Sequence, residues 1–217
     1  GFELETAGVL KGGRKIWALA KTGQSMALKG NDVTNGYILL ATACDGTLAT
    51  TAQFTSIRVV CNNTLAVALA NGNRGVVKVP HNTSFDAQAV KKQLGISVSA
   101  WDEFMYGLKN LSERKVKPAE AQNYVWRVFN DGGNKSSTSS SNERAMAKVM
   151  TLFDGGGQGS DLASAKGTVF GLLNSVTEFV DHERRALNPD NRLDSAWFGQ
   201  GATIKQKALD EALLMIA

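Results

Sequence analysis

The chain has 217 residues, 43% of them hydrophobic and 20% charged, which is ordinary for a soluble globular protein and enough for one sizeable core. No apolar run approaches the roughly 20 residues that cross a bilayer, and the opening GFELETAG lacks the layout of a signal peptide, so a cytoplasmic protein with no membrane partner is expected. Two cysteines, Cys44 and Cys61, in apolar segments exclude a disulfide framework, and two distant histidines, His81 and His182, exclude a zinc site of recognised spacing.

The chain opens on Gly1, in what reads as the approach to a strand, so an upstream portion is expected to be missing. Residues 4–10 and 14–21 flank Gly12-Gly13, a dipeptide that accepts the positive φ angles of a tight hairpin turn. Residues 36–43 and 47–54 are aliphatic and Thr-rich and flank Asp45-Gly46, a strong hairpin signal. A helix is predicted next, because Ile57, Val60, Cys61, Leu65 and Ala68 recur at helical spacing, with Ser56 as cap and Asn71-Gly72 as stop. Asn62-Asn63-Thr64 is odd inside it, and those groups either satisfy buried backbone or face a ligand.

The remainder reads as mostly helical. Ser84 caps a segment ending near Leu94; Ser99 opens a helix that buries Trp101, Phe104, Met105, Leu108 and Leu111; Pro118 starts another with Tyr124, Val125, Val128 and Phe129 inward. Residues 131–142 and 154–167 are Gly/Ser-rich and are expected as mobile surface loops, with a short helix between them that turns Met146, Val149, Met150 and Phe153 inward. Val169, Leu172, Leu173, Val176, Phe179 and Val180 have the clearest helical period, placing Asn174, Glu178, Asp181, His182 and Arg185 on a polar side. A final amphipathic helix covers about 202–216. The expected fold is a single α+β domain over 1–217: antiparallel β-hairpins followed by a helix, then a mostly helical C-terminal half.

Catalytic motifs are scarce. In DGGGQGSDLASAKG the lysine lies between Ala165 and Gly167, so the phosphate-loop pattern fails, and there is no GxGxxG, no GxSxG and no sign of a cofactor. Glu178 and His182 are four apart on a strong helix beside Asp181, which suits either a solvated acid–imidazole pair or part of a metal site in an enzyme acting on nucleic acid or nucleotides.

The positive charge is placed unevenly. The formal charge is +4, and residues 1–80 hold eight basic against four acidic side chains, while the remainder holds sixteen of each. Such asymmetry favours a polyanionic partner. Lys11, Arg14, Lys15, Lys21 and Arg58 are the candidate phosphate contacts, with Arg74 and Lys78 as weaker ones, and Trp17 is either a stacking surface for bases or core.

The blocks ELETAGVLKGGRKIWALAK, DGTLATTAQFTSIRVVCNNTLAVAL, GTVFGLLNSVTEFVDHERR and FGQGATIKQKAL resemble the phage/plasmid-like protein family, a prokaryotic domain of unknown function, from about residue 3 onward. Members of that family usually carry a further N-terminal portion. The resemblance implies a setting in DNA metabolism of bacteria or phage-infected cells. The order of hairpins followed by a helix is also similar to the core of single-strand-annealing recombinases. That likeness implies a non-catalytic homo-oligomer, ring or filament, which binds single-stranded DNA, with duplex DNA as a second form, and anneals strands in phage or plasmid recombination. An interaction protein that counters a host defence is the remaining alternative.

Overall fold

The computed structural model describes residues 2–67, 75–94, 98–130 and 140–217. The chain is α+β. Six strands precede seven α-helices among the described residues: β1 (Glu3–Leu10), β2 (Lys15–Ala27), β3 (Val33–Ala43), β4 (Thr50–Arg58), β5 (Asn63–Ala66), β6 (Val76–Val79), α1 (Ala87–Leu94), α2 (Val98–Glu113), α3 (Pro118–Phe129), α4 (Ser140–Thr151), α5 (Val169–Glu178), α6 (Pro189–Phe198) and α7 (Gln200–Leu214). They form two compact units, one of Gly1–Met26, Val33–Val59 and Thr64–Tyr106, the other of Ala27–Asp32, Val60–Asn63 and Gly107–Ala217.

In the first unit the strands follow one another as an antiparallel meander in the order β1-β2-β3-β4-β5, and β6 pairs with the first half of β4, from Thr50↔Val79 to Gln53↔Val76. Both expected hairpin turns form. Lys11, Gly12 and Gly13 take φ of 55°, 66° and 86°, and Gly46 takes 75°, values that glycine adopts without steric cost. Opposite Gly8, the indole of Trp17 lies so close that a Cβ on residue 8 would stand 2.8 Å from it. The ring that could have offered a stacking surface is therefore half-buried against the neighbouring strand. Phe54, paired with Ile38 and fully buried, meets Trp101 at 5.8 Å, and Gly36 leaves room for that ring.

The helix expected from residue 56 does not form. Its first residues complete β4, a turn follows, and β5 begins at Asn63. The β-branched Ile57, Val59 and Val60 suit the strand and its end, and Asn62 takes φ +54°, a left-handed angle that asparagine tolerates better than most residues. Asn63 is buried and its side-chain N–H donates to the Asn174 carbonyl (3.3 Å), which favours the backbone-satisfying reading of the paired asparagines. Asn71-Gly72 lies outside the described residues. Cys61 is buried as expected, but Cys44 is exposed in the turn after β3.

In the second unit α5 lies at the centre. Every residue from Val169 to Glu178 is buried, so the polar side expected to face water at Asn174 and Glu178 is instead enclosed. Thr168 caps α5 by accepting the Gly171 N–H (3.0 Å), and a side chain on Gly171 would drive into the Ala165 carbonyl. That contact fixes the end of the Gly-rich segment 154–167. Ser164 and Ala165 are buried, and the Ser164 hydroxyl donates to the buried Asp32 carboxylate. Against α5 packs α7, which buries Ala208, Leu209 and Ala212, and α3 packs on α7 in turn, its Tyr124 hydroxyl donating to the Ala208 carbonyl (2.9 Å). The expected starts were partly displaced: Asp86, not Ser84, accepts the Gln88 and Ala89 N–H groups of α1, while Pro118 opens α3 as expected.

Candidate nucleic-acid interface

Strand direction sorts the basic residues of the sheet unit into two ends. The β1–β2 turn, the β3–β4 turn and the Thr51↔Lys78 pair share one end, tied together by the Cys44 N–H donating to the Arg14 carbonyl (2.9 Å) and by His81 Nε2 within 3.0 Å of the Leu48 carbonyl. Arg58, paired with Thr34, lies at the other end, and Lys21, paired with Glu3, lies between them along β2.

At the turn-bearing end Arg14 is the most available cation. Its side chain is 65% exposed, its Nε donates to the Lys11 carbonyl (3.0 Å), and its guanidinium stands 3.9 Å from Asp45. Asp45 is occupied elsewhere: the Thr47 hydroxyl and N–H reach its carboxylate at 2.6 and 3.0 Å and, ahead of Arg14, hold its pKa below the usual carboxylate range. The Arg14–Asp45 pair is thus a loose, solvated one that a phosphate can displace. Lys11 is half-buried beside it and Lys78 is exposed on β6, about three strand spacings away, or roughly 14 Å.

Three other candidates are placed differently. Lys15 and Arg58 are only 7% and 4% exposed and have partners within the fold. Lys21 pairs with Glu5 at 3.4 Å. The bulge between Leu4 and Thr6 re-aims Glu5, whose carboxylate also lies against the Tyr37 hydroxyl; burial first, and then Glu5, push that phenol up to about 12. Arg74 lies outside the described residues.

The Glu178–His182 face is not a solvated pair. Glu178 is buried and both its oxygens accept the Gln158 N–H, at 3.0 and 3.1 Å, while Asp181 forms a buried ion pair with Lys205 at 2.7 Å. His182 is exposed. No group of three or more His, Cys, Asp or Glu side chains able to hold a metal occurs among the described residues. These two carboxylates serve the fold: one closes the Gly-rich segment against α5, the other joins the end of that helix to α7.

A second gathering of cations was not foreseen. Within the helical unit a cavity of about 860 Å³ is bordered by the end of α3, by α4, by the turn after α5 and by α7, and it collects Arg144, Lys148, Arg184, Arg185 and Lys207 against the single acid Glu183. Those residues come from three separate stretches of a charge-balanced segment, so neither composition nor spacing announced them.

No helix among the described residues is long and apolar enough to cross a membrane. Neither curated proteins nor solved structures match the chain. Residues 1–197 match the family described as a domain of unknown function, DUF932, and the chain belongs to that family.

Proposed function

We propose that the protein binds single-stranded nucleic acid through its phosphates at the turn-bearing end of the sheet. The observation that carries this reading is the exposure of Arg14 at the end where the two hairpin turns meet, with Lys78 exposed on the same end, while Asp45, the acid its guanidinium faces, also accepts from Thr47. Two exposed cations roughly 14 Å apart match the pitch of a few nucleotides better than a single small anion. Lys15 and Arg58 are buried and Lys21 pairs with Glu5, so the reading rests on Arg14 and Lys78 instead.

Contacts of this kind release counterions, so affinity for an oligothymidylate falls steeply with salt and depends little on sequence. The test is a salt series with single-stranded and duplex probes, with particle mass measured in the same samples. Salt-sensitive binding that prefers the single strand supports the proposal, and ring-sized or filament-sized particles extend it to strand annealing. Absence of binding at low salt overturns it.

A further inference from the structure

The cavity of the helical unit has the chemistry of a small-molecule site. Its volume, about 860 Å³, is within the range of roughly 300–1,000 Å³ that holds cofactors and metabolites. Arg184 lies at its wall, half-buried, and is held by neutral oxygens: one terminal N–H donates to the Ser195 hydroxyl (3.0 Å) and another to the Gln200 side-chain carbonyl. A guanidinium carries five N–H donors, so this arrangement leaves donors unspent on a side chain whose rotamer is already fixed. Among the described residues no carboxylate accompanies it, and burial pushes its pKa down, as expected of a cation with no counter-charge.

Glu183, the one acid at the rim, is taken by Lys148 at 3.2 Å. Arg144 and Arg185 are exposed and have no hydrogen-bond or ion-pair partner among the described residues. The Lys207 ammonium is anchored on the Asn130 carbonyl at 3.1 Å. The lining thus holds five cations and one carboxylate. The lining also has an apolar part: Phe129 and Phe179 meet edge to face at 5.8 Å, and Ile204 adds to it from α7. Phe129 is half-exposed and offers a flat surface.

We propose that this cavity binds a nucleotide, with Arg184 as the fixed anchor for its phosphates, Arg144 and Arg185 closing on them from the rim, and the Phe129 side receiving the base. Three guanidiniums without a carboxylate partner among the described residues, Arg144, Arg184 and Arg185, suit a polyphosphate. Bidentate guanidinium–phosphate geometry explains why arginines predominate over lysines at the site. The phosphate can belong to a free nucleoside triphosphate or to the end of a strand, and the site lies wholly in the helical unit, so it does not depend on the sheet-end reading.

The test is calorimetric titration of the full chain with a nucleoside triphosphate, the corresponding unphosphorylated nucleoside, and a five-nucleotide oligothymidylate bearing a 5′-phosphate. The expected result is binding of the triphosphate, no binding of the nucleoside, and at least tenfold weakening in both Arg184→Met and the rim variant Arg144→Ala/Arg185→Ala, with Arg14→Ala/Lys78→Ala unchanged. Binding of the oligonucleotide alone, weakened tenfold by the same rim variant, also supports the site and assigns it to strand ends. If Arg184→Met fails to fold, the rim variant decides, because both of its side chains are exposed. Equal binding by wild type and rim variant, or no binding of any phosphorylated probe, overturns the proposal.

Discussion

Residues 1–80 carry twice as many basic as acidic side chains, yet the sheet unit buries Lys15 and Arg58, pairs Lys21 with Glu5, and leaves Arg14 and Lys78 exposed at one end. The remainder of the chain is balanced in charge, yet the helical unit gathers five cations around one cavity. Charge counted along a chain measures what is available; the fold decides what is spent on structure. In the sheet unit, Arg14 closes the β1–β2 turn while Lys15 begins β2 with its side chain buried, so chain neighbours part company. In the helical unit, residues from α4, the turn after α5, and α7 converge because the helices pack around α5, which no local count can register.

The comparison can be broken first at the packing that holds the helical unit together. Gly171→Ala puts a methyl group into the Ala165 carbonyl, and we expect a loss of about 3 kcal/mol, visible in urea unfolding. A near-neutral result would mean that the end of the Gly-rich segment does not pack on α5. The buried Asp181–Lys205 pair comes next. Lys205→Met removes the ammonium from the buried Asp181 carboxylate and should also cost about 3 kcal/mol, whereas the double change Asp181→Leu/Lys205→Met should recover much of that loss. Recovery is the signature of a structural pair.

A smaller effect is expected where a charge pair is exposed. Glu120 accepts from Arg114 at 2.6 Å and from the Lys117 N–H at 2.8 Å, and these bonds, Arg114 foremost, hold its carboxyl down to about 2 against an ordinary 4.5. Because the folded pKa is the lower one, the contribution is complete above the ordinary value and is lost as pH falls from there through about 2. Glu120→Ala should therefore be less stable than wild type at neutral pH, with the difference shrinking towards that acid limit. A pH-independent difference would assign the effect to packing at the start of α3.

Much of this was legible in the sequence, and the failures have physical causes. Gly12-Gly13 and Asp45-Gly46 signalled their hairpins because positive φ demands such residues. The period of Trp101, Phe104, Met105, Leu108 and Leu111 marked a helix face that is buried throughout. The false helix after residue 56 arose because a strand end, a turn and a short strand space their apolar residues by three and four; the contrary signal was Asn62, a residue suited to the left-handed φ it adopts in the turn. The polar residues of α5 misled for the opposite reason. Asn174 and Glu178 look solvent-facing on a helical wheel, but the Asn174 side chain donates to the Phe170 carbonyl and Glu178 accepts from the Gln158 backbone, so both find partners inside the unit.

The most direct measurement compares salt dependence of oligothymidylate binding in wild type, Arg14→Ala/Lys78→Ala and Lys15→Met. If placement in space governs the interface, the first variant flattens the slope of log affinity against log salt by about 1.4, two phosphate contacts at roughly 0.7 each on a single strand, and Lys15→Met leaves it unchanged. A slope unaltered by removing Arg14 and Lys78, or flattened by removing buried Lys15, would contradict the account.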